Sequence, residues 1–329
     1  MVNSLVMKIL FTGANTSSAN DANVKSSLVY AAINAGHQIA YSLEERPDLL
    51  ICVDYKKSLR GIIQEANSIS VPTVLIKQEP VVVFPQHASA NPGNLFSLVI
   101  TRGEPDNSHQ FNTFQEWKVG ELVATGRKNG LVAISGNKWS MVPGEYYSLR
   151  RQAYATDQRI DLYGPGWDET GPTQLMRVFK EVLIAALAGF KPELKNLKWC
   201  LKKPLNYLGV SDNKYSTLAQ YKGSLVIENN GGYMSEKLVD SIISGTVPIY
   251  IGAPVQNYGI PQDLVIEAQP NLESISRAVD LAITWDSQDY IDRVKNWLSQ
   301  PGIREQWHFE SVNSRLLEFI FANTKPQLL

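Results

Sequence analysis

Short runs of β-branched and aliphatic residues alternate with helical stretches along most of this chain of 329 residues. In the first half they predict strands over 8–12, 38–42, 49–53, 73–77 and 97–101, and helices over 24–35 and 58–70. Alternation of this kind is typical of α/β proteins with parallel sheets. The sequence therefore predicts an α/β fold, and its length is enough for about two domains of ~100–200 residues each.

The second half repeats the alternation and indicates where the domains divide. It predicts helices over 145–157, 173–188 and 236–244, strands over 160–163, 224–227 and 246–251, and a helical tail from Asn271. Between Gly120 and Gly130 the pattern loosens, and a new strand starts within GRKNGLVAISGNKWS. We therefore predict a first domain over 1–127 and a second over 128–329. Whether the last helices pack back on the first domain stays open.

Composition excludes several classes of partner. With 31 basic and 32 acidic residues, the chain has no overall field that would attract nucleic acid or anionic lipid. Its two cysteines, Cys52 and Cys200, are too few and too far apart for a disulfide framework, which favours a reducing compartment. The most apolar run, 182–190, is much shorter than the ~20 residues that span a bilayer. We expect a cytoplasmic protein; peripheral contact with the inner membrane and the oligomeric state stay open.

The chain also lacks the patterns of a metal site. It contains no Asp-x-Asp sequence and no His/Cys cluster with metal-ligand spacing. The four histidines fit surface or packing positions better than catalytic ones: His37, His87, His109 and His308. We therefore expect no metal cofactor.

One stretch, YKGSLVIENNGGYMSEKLVDSIISGTVPIYIGAP over 221–254, concentrates polar groups at the mouth of a strand–helix–strand unit. The strand ends in Glu228-Asn229, and a glycine-rich loop follows. Ser235 is a good N-cap residue for the next helix, and Gly245 is placed to end that helix. Because ligands of parallel sheets bind at the carboxyl ends of strands, this loop is a candidate binding site.

The charges around this helix start admit two interpretations. Lys237 in the first turn is unfavourable for the helix dipole unless an anion offsets it, so a bound phosphate or diphosphate is one explanation. Glu228 would then accept hydrogen bonds from sugar hydroxyls, with Asn229 bracing the loop. In the alternative, Glu236 and Lys237 form a solvated pair, Asn229 caps a turn, and Glu228 is an ordinary acid at a strand end. Spacing alone does not decide between the two interpretations.

The stretch resembles the donor-binding signature of glycosyltransferase family 10, the α1,3/α1,4-fucosyltransferases. The matching residues are Tyr221-Lys222, Glu228-Asn229, Tyr233-Met234-Ser235-Glu236-Lys237 and Gly245-Thr246-Val247-Pro248-Ile249-Tyr250-Ile251-Gly252. Weaker similarity surrounds them in ISGNKWS, RIDLYGPGW and DNKYSTLAQYK. The resemblance covers residues 131 to about 268 and is faint in the first half.

This resemblance implies a GT-B fold, in which two Rossmann-like domains face each other across a cleft. It implies an inverting, metal-independent transferase that binds GDP-fucose in the second domain and moves fucose to a glycan acceptor. Lys237 would hold the diphosphate. The other implied donor-binding residues are Glu228, Asn229, Tyr233, Ser235, Glu236, Asn137, Arg150, Arg151 and Lys214.

An inverting transferase also needs a base that takes the proton of the acceptor hydroxyl. Glu79, at the end of the predicted strand 73–77, resembles the acidic residue that the family places there. A plain strand-end acid before proline is the competing interpretation.

Some positions depart from the family pattern. Gly223 and Ile227 stand where the family has aromatic residues, and Leu205 stands where it has an arginine. Lys202 and Lys203 are close by but lack the bidentate fork of an arginine. The departures leave two alternatives open: the same reaction with another nucleotide-sugar donor, and a non-catalytic nucleotide-sugar-binding protein.

Overall fold

The structure, a computed structural model, describes residues 6–13, 28–102, 117–169, 172–199 and 202–324. Contacts divide the chain into two compact units. Unit 1 comprises Met1–Glu116 and Glu305–Leu329, and unit 2 comprises Trp117–Arg304. Cys200, His109 and the first residues of the predicted helix 24–35 lie outside the described residues.

The strands in chain order are β1 (Lys8–Gly13), β2 (Gln38–Ala40), β3 (Leu49–Val53), β4 (Thr73–Lys77), β5 (Leu98–Thr101), β6 (Lys128–Ile134), β7 (Ile160–Tyr163), β8 (Tyr221–Ile227), β9 (Val247–Ile251) and β10 (Ile266–Glu267). The helices are α1 (Leu28–Asn34), α2 (Arg60–Ser68), α3 (Tyr147–Thr156), α4 (Pro172–Leu187), α5 (Lys214–Ala219), α6 (Lys237–Ile243), α7 (Leu272–Thr284), α8 (Ser287–Leu298), α9 (Ile303–Trp307) and α10 (Phe309–Asn323). Short 3-10 turns connect several of them.

Each unit is built on a five-stranded parallel sheet, and the two sheets have the same strand order. The first sheet runs β2-β1-β3-β4-β5 and the second runs β7-β6-β8-β9-β10. Numbered within each unit, both orders are 2-1-3-4-5, one of the common doubly wound arrangements. The order reverses between the first and third strands. These switch points, β1/β3 and β6/β8, are where such sheets bind ligands.

The central strands are buried on both faces because helices cover both sides of a parallel sheet. All residues of β3, β4 and β9 are buried. The C-terminal helix α10 belongs to unit 1, where Leu316, Leu317 and Ile320 join the core formed by strands β1, β3 and β4. The end of the chain therefore completes the core of the first unit.

The two units divide earlier than the sequence pattern suggested. The segment 117–127 belongs to unit 2, although the prediction placed the division at 127/128. Arg127 accounts for part of this, because its guanidinium donates hydrogen bonds to the carbonyls of Tyr221 (3.1 Å) and Ser244 (3.0 Å). The sequence pattern at 127/128 marks the start of β6, whereas the start of unit 2 is set by side-chain contacts of the preceding segment.

The predicted α/β fold of two Rossmann-like domains is confirmed. Strands 49–53, 73–77 and 160–163 have the predicted bounds. The sequence pattern did not predict α5 or the two-residue strand β10. Within the described ranges, no helix has both the length and the apolar character that crossing a membrane requires.

Candidate functional site

The predicted donor-binding residues of unit 2 lie around the switch point of its sheet. Asn137 follows β6, and Glu228 and Asn229 follow β8, so the ends of these two neighbouring strands bring them together. This is the edge at which parallel sheets bind ligands. The motif 221–254 therefore occupies the position in the fold at which a binding site is expected.

A buried carboxylate organises the loop after β8. Glu228 is 0 % exposed and accepts hydrogen bonds from the backbone N–H of Ser235 (2.8 Å) and from the Ser235 hydroxyl (2.7 and 2.9 Å to its two oxygens). The Lys237 ammonium donates to the Ser235 hydroxyl at 2.9 Å and lies 3.9 Å from Glu228 Oε2. The three residues form a chain from the sheet to a partly exposed cation, since the Lys237 side chain is 30 % exposed.

The energetics of this chain follow from burial. An isolated carboxylate inside a protein costs several kcal/mol, so it must be hydrogen-bonded and neutralised. Burial raises the pKa of Glu228, while Lys237 and the two donors of Ser235 act against that rise. Glu228 therefore holds Ser235 and Lys237 in place. Both of its oxygens accept hydrogen bonds from Ser235, so in this structure Glu228 positions the loop, and its binding of sugar hydroxyls stays a prediction.

The helix start also differs from the prediction. Helix α6 begins at Lys237, and its N-cap position is Glu236 rather than Ser235. Ser235 does not cap the helix because its hydroxyl is committed to Glu228. Helix α6 has only seven residues, so its dipole adds little and the Lys237 ammonium is the main positive charge here.

The two arginines predicted to contact phosphate are both internal. Arg150 is 3 % exposed, and its guanidinium donates to the Ile227 carbonyl (2.8 Å) and to Asn229 Oδ1 (3.0 Å). It braces the end of β8 and fixes Asn229. In this structure the guanidinium therefore has a structural role, as a buried guanidinium needs partners within the protein. The phosphate contact of Arg150 stays a prediction.

Arg151 has a similar environment. It is 2 % exposed, donates to Asn137 Oδ1 and to the Lys138 carbonyl (3.0 Å), and stacks on Trp139 and Trp167. Asn137 in turn donates to the Gly166 carbonyl at 2.6 Å. These contacts fix the loop after β6 from inside, and the phosphate role of Arg151 stays a prediction.

A cavity of about 110 Å³ lies between the sheet and helices α5 and α6. Its polar lining includes Lys214, Glu236, Lys237, Asp240 and Ser224, and aliphatic side chains of β6, β8 and α5 form the rest. The Ser224 hydroxyl is buried and has no hydrogen-bond partner among the described residues. The volume is below the about 300–1,000 Å³ of typical ligand pockets, so it fits only part of a nucleotide sugar.

The cavity mouth is set by an ion pair that the sequence pattern did not reveal. Lys214 donates to Asp240 Oδ2 at 2.7 Å, and burial raises the pKa of Asp240 to about 6 in spite of this lysine. For Glu236, burial is outweighed by Lys237, Lys214 and Lys138, which lower its pKa. The cations therefore dominate the local potential. Asp240 lies one turn after Lys237, on the same side of α6. Its place in the cavity lining can be inferred from this spacing only once the bounds of the helix are known.

Tyr233 and Gly252 shape the loop from below. Tyr233 is 4 % exposed, and its carbonyl accepts from the Tyr250 hydroxyl (3.4 Å) and the Ala253 N–H (3.3 Å). Its side chain does not line the cavity. A Cβ atom on Gly252 would lie 2.6 Å from Cζ of Tyr250 and 2.7 Å from Cγ of Glu228, so only glycine fits against these two buried side chains.

Leu205, which stands where the family has an arginine, carries no charge and is 53 % exposed. Lys202 and Lys203 are also exposed. None of the three lines the cavity beside Lys237.

In unit 1, the predicted base Glu79 lies just beyond the carboxyl end of β4 and is half-buried. Its backbone is held from two sides. Asp54, with φ 52°, accepts hydrogen bonds from the N–H groups of Gln78 (2.8 Å) and Glu79 (3.1 Å). His87 Nδ1 donates to the Glu79 carbonyl at 2.8 Å, and its Nε2 lies 3.7 Å from Asp54 Oδ1.

Sequence reasoning missed Asp54 and assigned His87 only a surface or packing role. Burial raises the pKa of Asp54 to about 6 and lowers the pKa of His87 to about 4. Asp54 directly follows β3 at the switch point of the first sheet, and Lys77 and Arg102 stand at the ends of β4 and β5. The rule that ligands meet the carboxyl ends of parallel strands would have identified this cluster once the strands were known.

The whole chain is similar in fold to solved glycosyltransferase structures. An α1,3-fucosyltransferase with GDP-fucose matches with TM-score 0.56 at 14 % identity, over 100 % of this chain and 94 % of the other. HepE from Anabaena in complex with UDP-glucose matches with TM-score 0.56 at 11 % identity, over 96 % and 100 %. A UDP-forming α,α-trehalose-phosphate synthase from Burkholderia xenovorans matches with TM-score 0.53 at 14 % identity, over 90 % and 78 %.

No protein-family model and no curated protein sequence matches the chain. At these identities the structural likeness establishes the fold, which is the GT-B fold of glycosyltransferases.

Replacing Gly252 with alanine should destabilise unit 2, because the new Cβ would overlap the buried Glu228 side chain. Overpacking of this kind costs about 1–3 kcal/mol. Gly120→Ala is the matched control, since nothing lies within 4 Å of its Cβ position. Urea unfolding of both variants measures the difference. Equal stability of Gly252→Ala and the parent would contradict the proposed packing against Glu228.

The pair Asp54 and His87 should have opposite effects on the pH dependence of stability. Between about pH 4 and 6 the folded Asp54 keeps a proton that the unfolded chain releases, so its contribution falls as pH rises. The folded His87 lacks a proton that the unfolded chain binds, so its contribution rises over nearly the same window. In the parent protein the two effects offset each other.

Single substitutions separate the two effects. Asp54→Asn keeps the acceptor oxygen and tolerates a positive φ, so from pH 4.5 to 6.5 its free energy of unfolding should rise by about 2 kcal/mol relative to that of the parent protein. His87→Gln should show the opposite slope. Urea unfolding at several pH values tests both, and parallel pH profiles for the two variants would refute the assignment.

Proposed function

We propose that this chain is an inverting, metal-independent glycosyltransferase that transfers fucose from GDP-fucose to a glycan hydroxyl. The observation that carries the proposal is the chain from Glu228 through Ser235 to Lys237 at the switch point of the second sheet. It presents a partly exposed ammonium beside a cavity, within a motif that resembles the fucosyltransferase donor signature. The GT-B fold of the whole chain supports the class of reaction.

In the proposed reaction, the acceptor oxygen forms a bond to the anomeric carbon while the bond from that carbon to the diphosphate breaks. GDP leaves with the electron pair, and Glu79 takes the proton of the acceptor hydroxyl. Lys237 stabilises the charge that develops on the leaving diphosphate, and Lys214 adds positive potential at the cavity mouth. Protein cations thus take the part that a divalent ion plays in other transferases. The acceptor glycan is not specified by these contacts.

A second candidate keeps the reaction and changes the donor. HepE, with the same TM-score of 0.56, is a complex with UDP-glucose, so the fold alone does not favour guanine. The motif favours GDP-fucose, whereas the aromatic positions replaced by Gly223 and Ile227 weaken that preference. A UDP-sugar is therefore the alternative donor.

Donor binding is the first test. GDP-fucose at about 100 times its Kd should stabilise the protein by about 2.7 kcal/mol in thermal unfolding. A shift with UDP-glucose and none with guanine nucleotides would replace the donor but keep the class. No shift with any nucleotide sugar would overturn the proposal.

The same assay tests the cation. Lys237→Ala should weaken GDP-fucose binding about 10- to 100-fold, because a charge-assisted hydrogen bond contributes about 1.5–3 kcal/mol. Lys222→Ala is the control, since Lys222 lies on the same strand β8 and does not line the cavity. Lys237→Arg keeps the charge and should recover part of the affinity. Equal binding by Lys237→Ala and Lys222→Ala would contradict the assigned role.

The base is tested by Glu79→Gln, which keeps the size of the side chain. Transfer should fall about 10²- to 10⁴-fold while GDP-fucose binding is unchanged. The assay is run with and without EDTA, and loss of parent activity with EDTA would contradict metal independence. Full transfer by Glu79→Gln would exclude it as the base. Donor binding by the parent with no transfer or donor hydrolysis would favour a non-catalytic binding protein.

A further inference from the structure

Helix α4 of unit 2 has an apolar outer face. Leu175, Phe179, Leu183 and Leu187 follow one another at intervals of four residues, so they form one stripe, with Met176 beside it. Their exposed fractions run from 50 % for Leu183 to 73 % for Phe179 and Met176. A surface helix normally turns such a stripe toward the core. This helix therefore presents apolar surface outward.

The stripe is not the face by which the helix packs on its own unit. Gln174, Val178 and Ala185 are the buried residues of α4, and they lie on the opposite side. The helix thus has two apolar sides, of which one has no partner within the described part of the chain. A contiguous exposed patch of this kind marks an interaction surface.

The segment that follows α4 is also unusually apolar. Among the described residues, ten of the seventeen exposed large hydrophobic side chains fall between positions 175 and 210. Beyond α4 they are Leu194, Leu197, Leu205, Leu208 and Val210. Exposed apolar residues elsewhere in the chain are scattered, which is ordinary for a protein surface. The concentration over 175–210 is therefore a local property.

The same segment is strongly basic, although the chain as a whole is not. Residues 172–210 contain seven basic and two acidic residues, a net charge of +5, although the whole chain has −1. The basic residues are Arg177, Lys180, Lys191, Lys195, Lys198, Lys202 and Lys203. Arg177 is paired with Glu169 at 2.7 Å, whereas Lys180, Lys198, Lys202 and Lys203 are exposed to solvent. Lys180 thus lies on α4 next to the apolar stripe, and the other exposed lysines lie in the segment that follows the helix.

We propose that α4 docks on an anionic lipid bilayer, lying in the plane of the interface. The stripe from Leu175 to Leu187 would bury in the boundary between headgroups and acyl chains, and the exposed Lys180, Lys198, Lys202 and Lys203 would contact lipid phosphates. With 16 residues the helix is about 24 Å long, and in the proposed orientation this length lies along the membrane surface rather than across the bilayer.

Charge favours an anionic bilayer over a second copy of the chain as the partner of this surface. The segment 172–210 has a net charge of +5 in each copy, so an interface that brought two such segments together would be electrostatically unfavourable. An anionic bilayer complements both features, since it offers apolar depth and negative charge at the same place.

The test is vesicle flotation of the full chain, with vesicles of phosphatidylcholine alone or mixed with phosphatidylglycerol. The protein should float with the anionic vesicles, and added salt should weaken binding. The double variant Met176→Ser, Phe179→Ser should bind at least about tenfold more weakly, because two exposed anchors are lost. Lys202→Glu with Lys203→Glu should also weaken binding.

Leu281→Ser is the matched control, since Leu281 is exposed on α7 of the same unit but outside the surface. It should bind as the parent does. Circular dichroism checks that all variants are folded, which is expected because the positions are exposed. Absence of binding, equal binding to neutral vesicles, or equal loss in Leu281→Ser would overturn the proposal. Self-association in sedimentation velocity that is abolished by Phe179→Ser would show that a second copy occupies the surface instead.

Discussion

The buried carboxylate of Glu228 is the constraint on which the second unit's site depends. It is fully buried after β8. It is tolerated there because the N–H and the hydroxyl of Ser235 donate hydrogen bonds to it and because Lys237 lies 3.9 Å away. The positions of Ser235 and Lys237 follow from that requirement. Gly252 is needed beside it because any side chain there would overlap both Glu228 and Tyr250. The residues of the motif thus together stabilise one buried carboxylate, and this arrangement leaves the Lys237 ammonium partly exposed.

β3 and β4 could be predicted with their bounds because they are fully buried and form short apolar runs between turn residues. β7 also has the predicted bounds, although its residues alternate between buried and half-buried. The start of unit 2 could not be predicted in the same way, because it depends on the hydrogen bonds of Arg127 to residues about a hundred positions later. Periodicity does not report such contacts. Helix α5 has six residues, too few for a period to be evident.

The candidate site was located from the sequence, but the roles within it were not. A residue name and a position at a strand end do not determine whether a side chain points outward or inward. Arg150 and Arg151 follow each other and both carry charge, yet one braces β8 and the other lies among tryptophans. Glu228 was expected at the surface and supports it from below. Lys237 and Lys214 were expected beside a ligand, and both line the cavity. Whether that cavity takes a nucleotide stays a proposal.

The shared strand order of the two sheets has a consequence for how the halves of the molecule are compared. Asp54 and Glu228 each come directly after the third strand of their sheet, each is buried, and each accepts an amide hydrogen from a loop beyond. No similarity of residue strings reveals this equivalence, because the loops around them differ in length and composition. Alignment of the halves by topological rank does reveal it. The two units therefore resemble each other in topology rather than in sequence. The buried acidic residues after the third strand of each sheet, Asp54 and Glu228, show this resemblance.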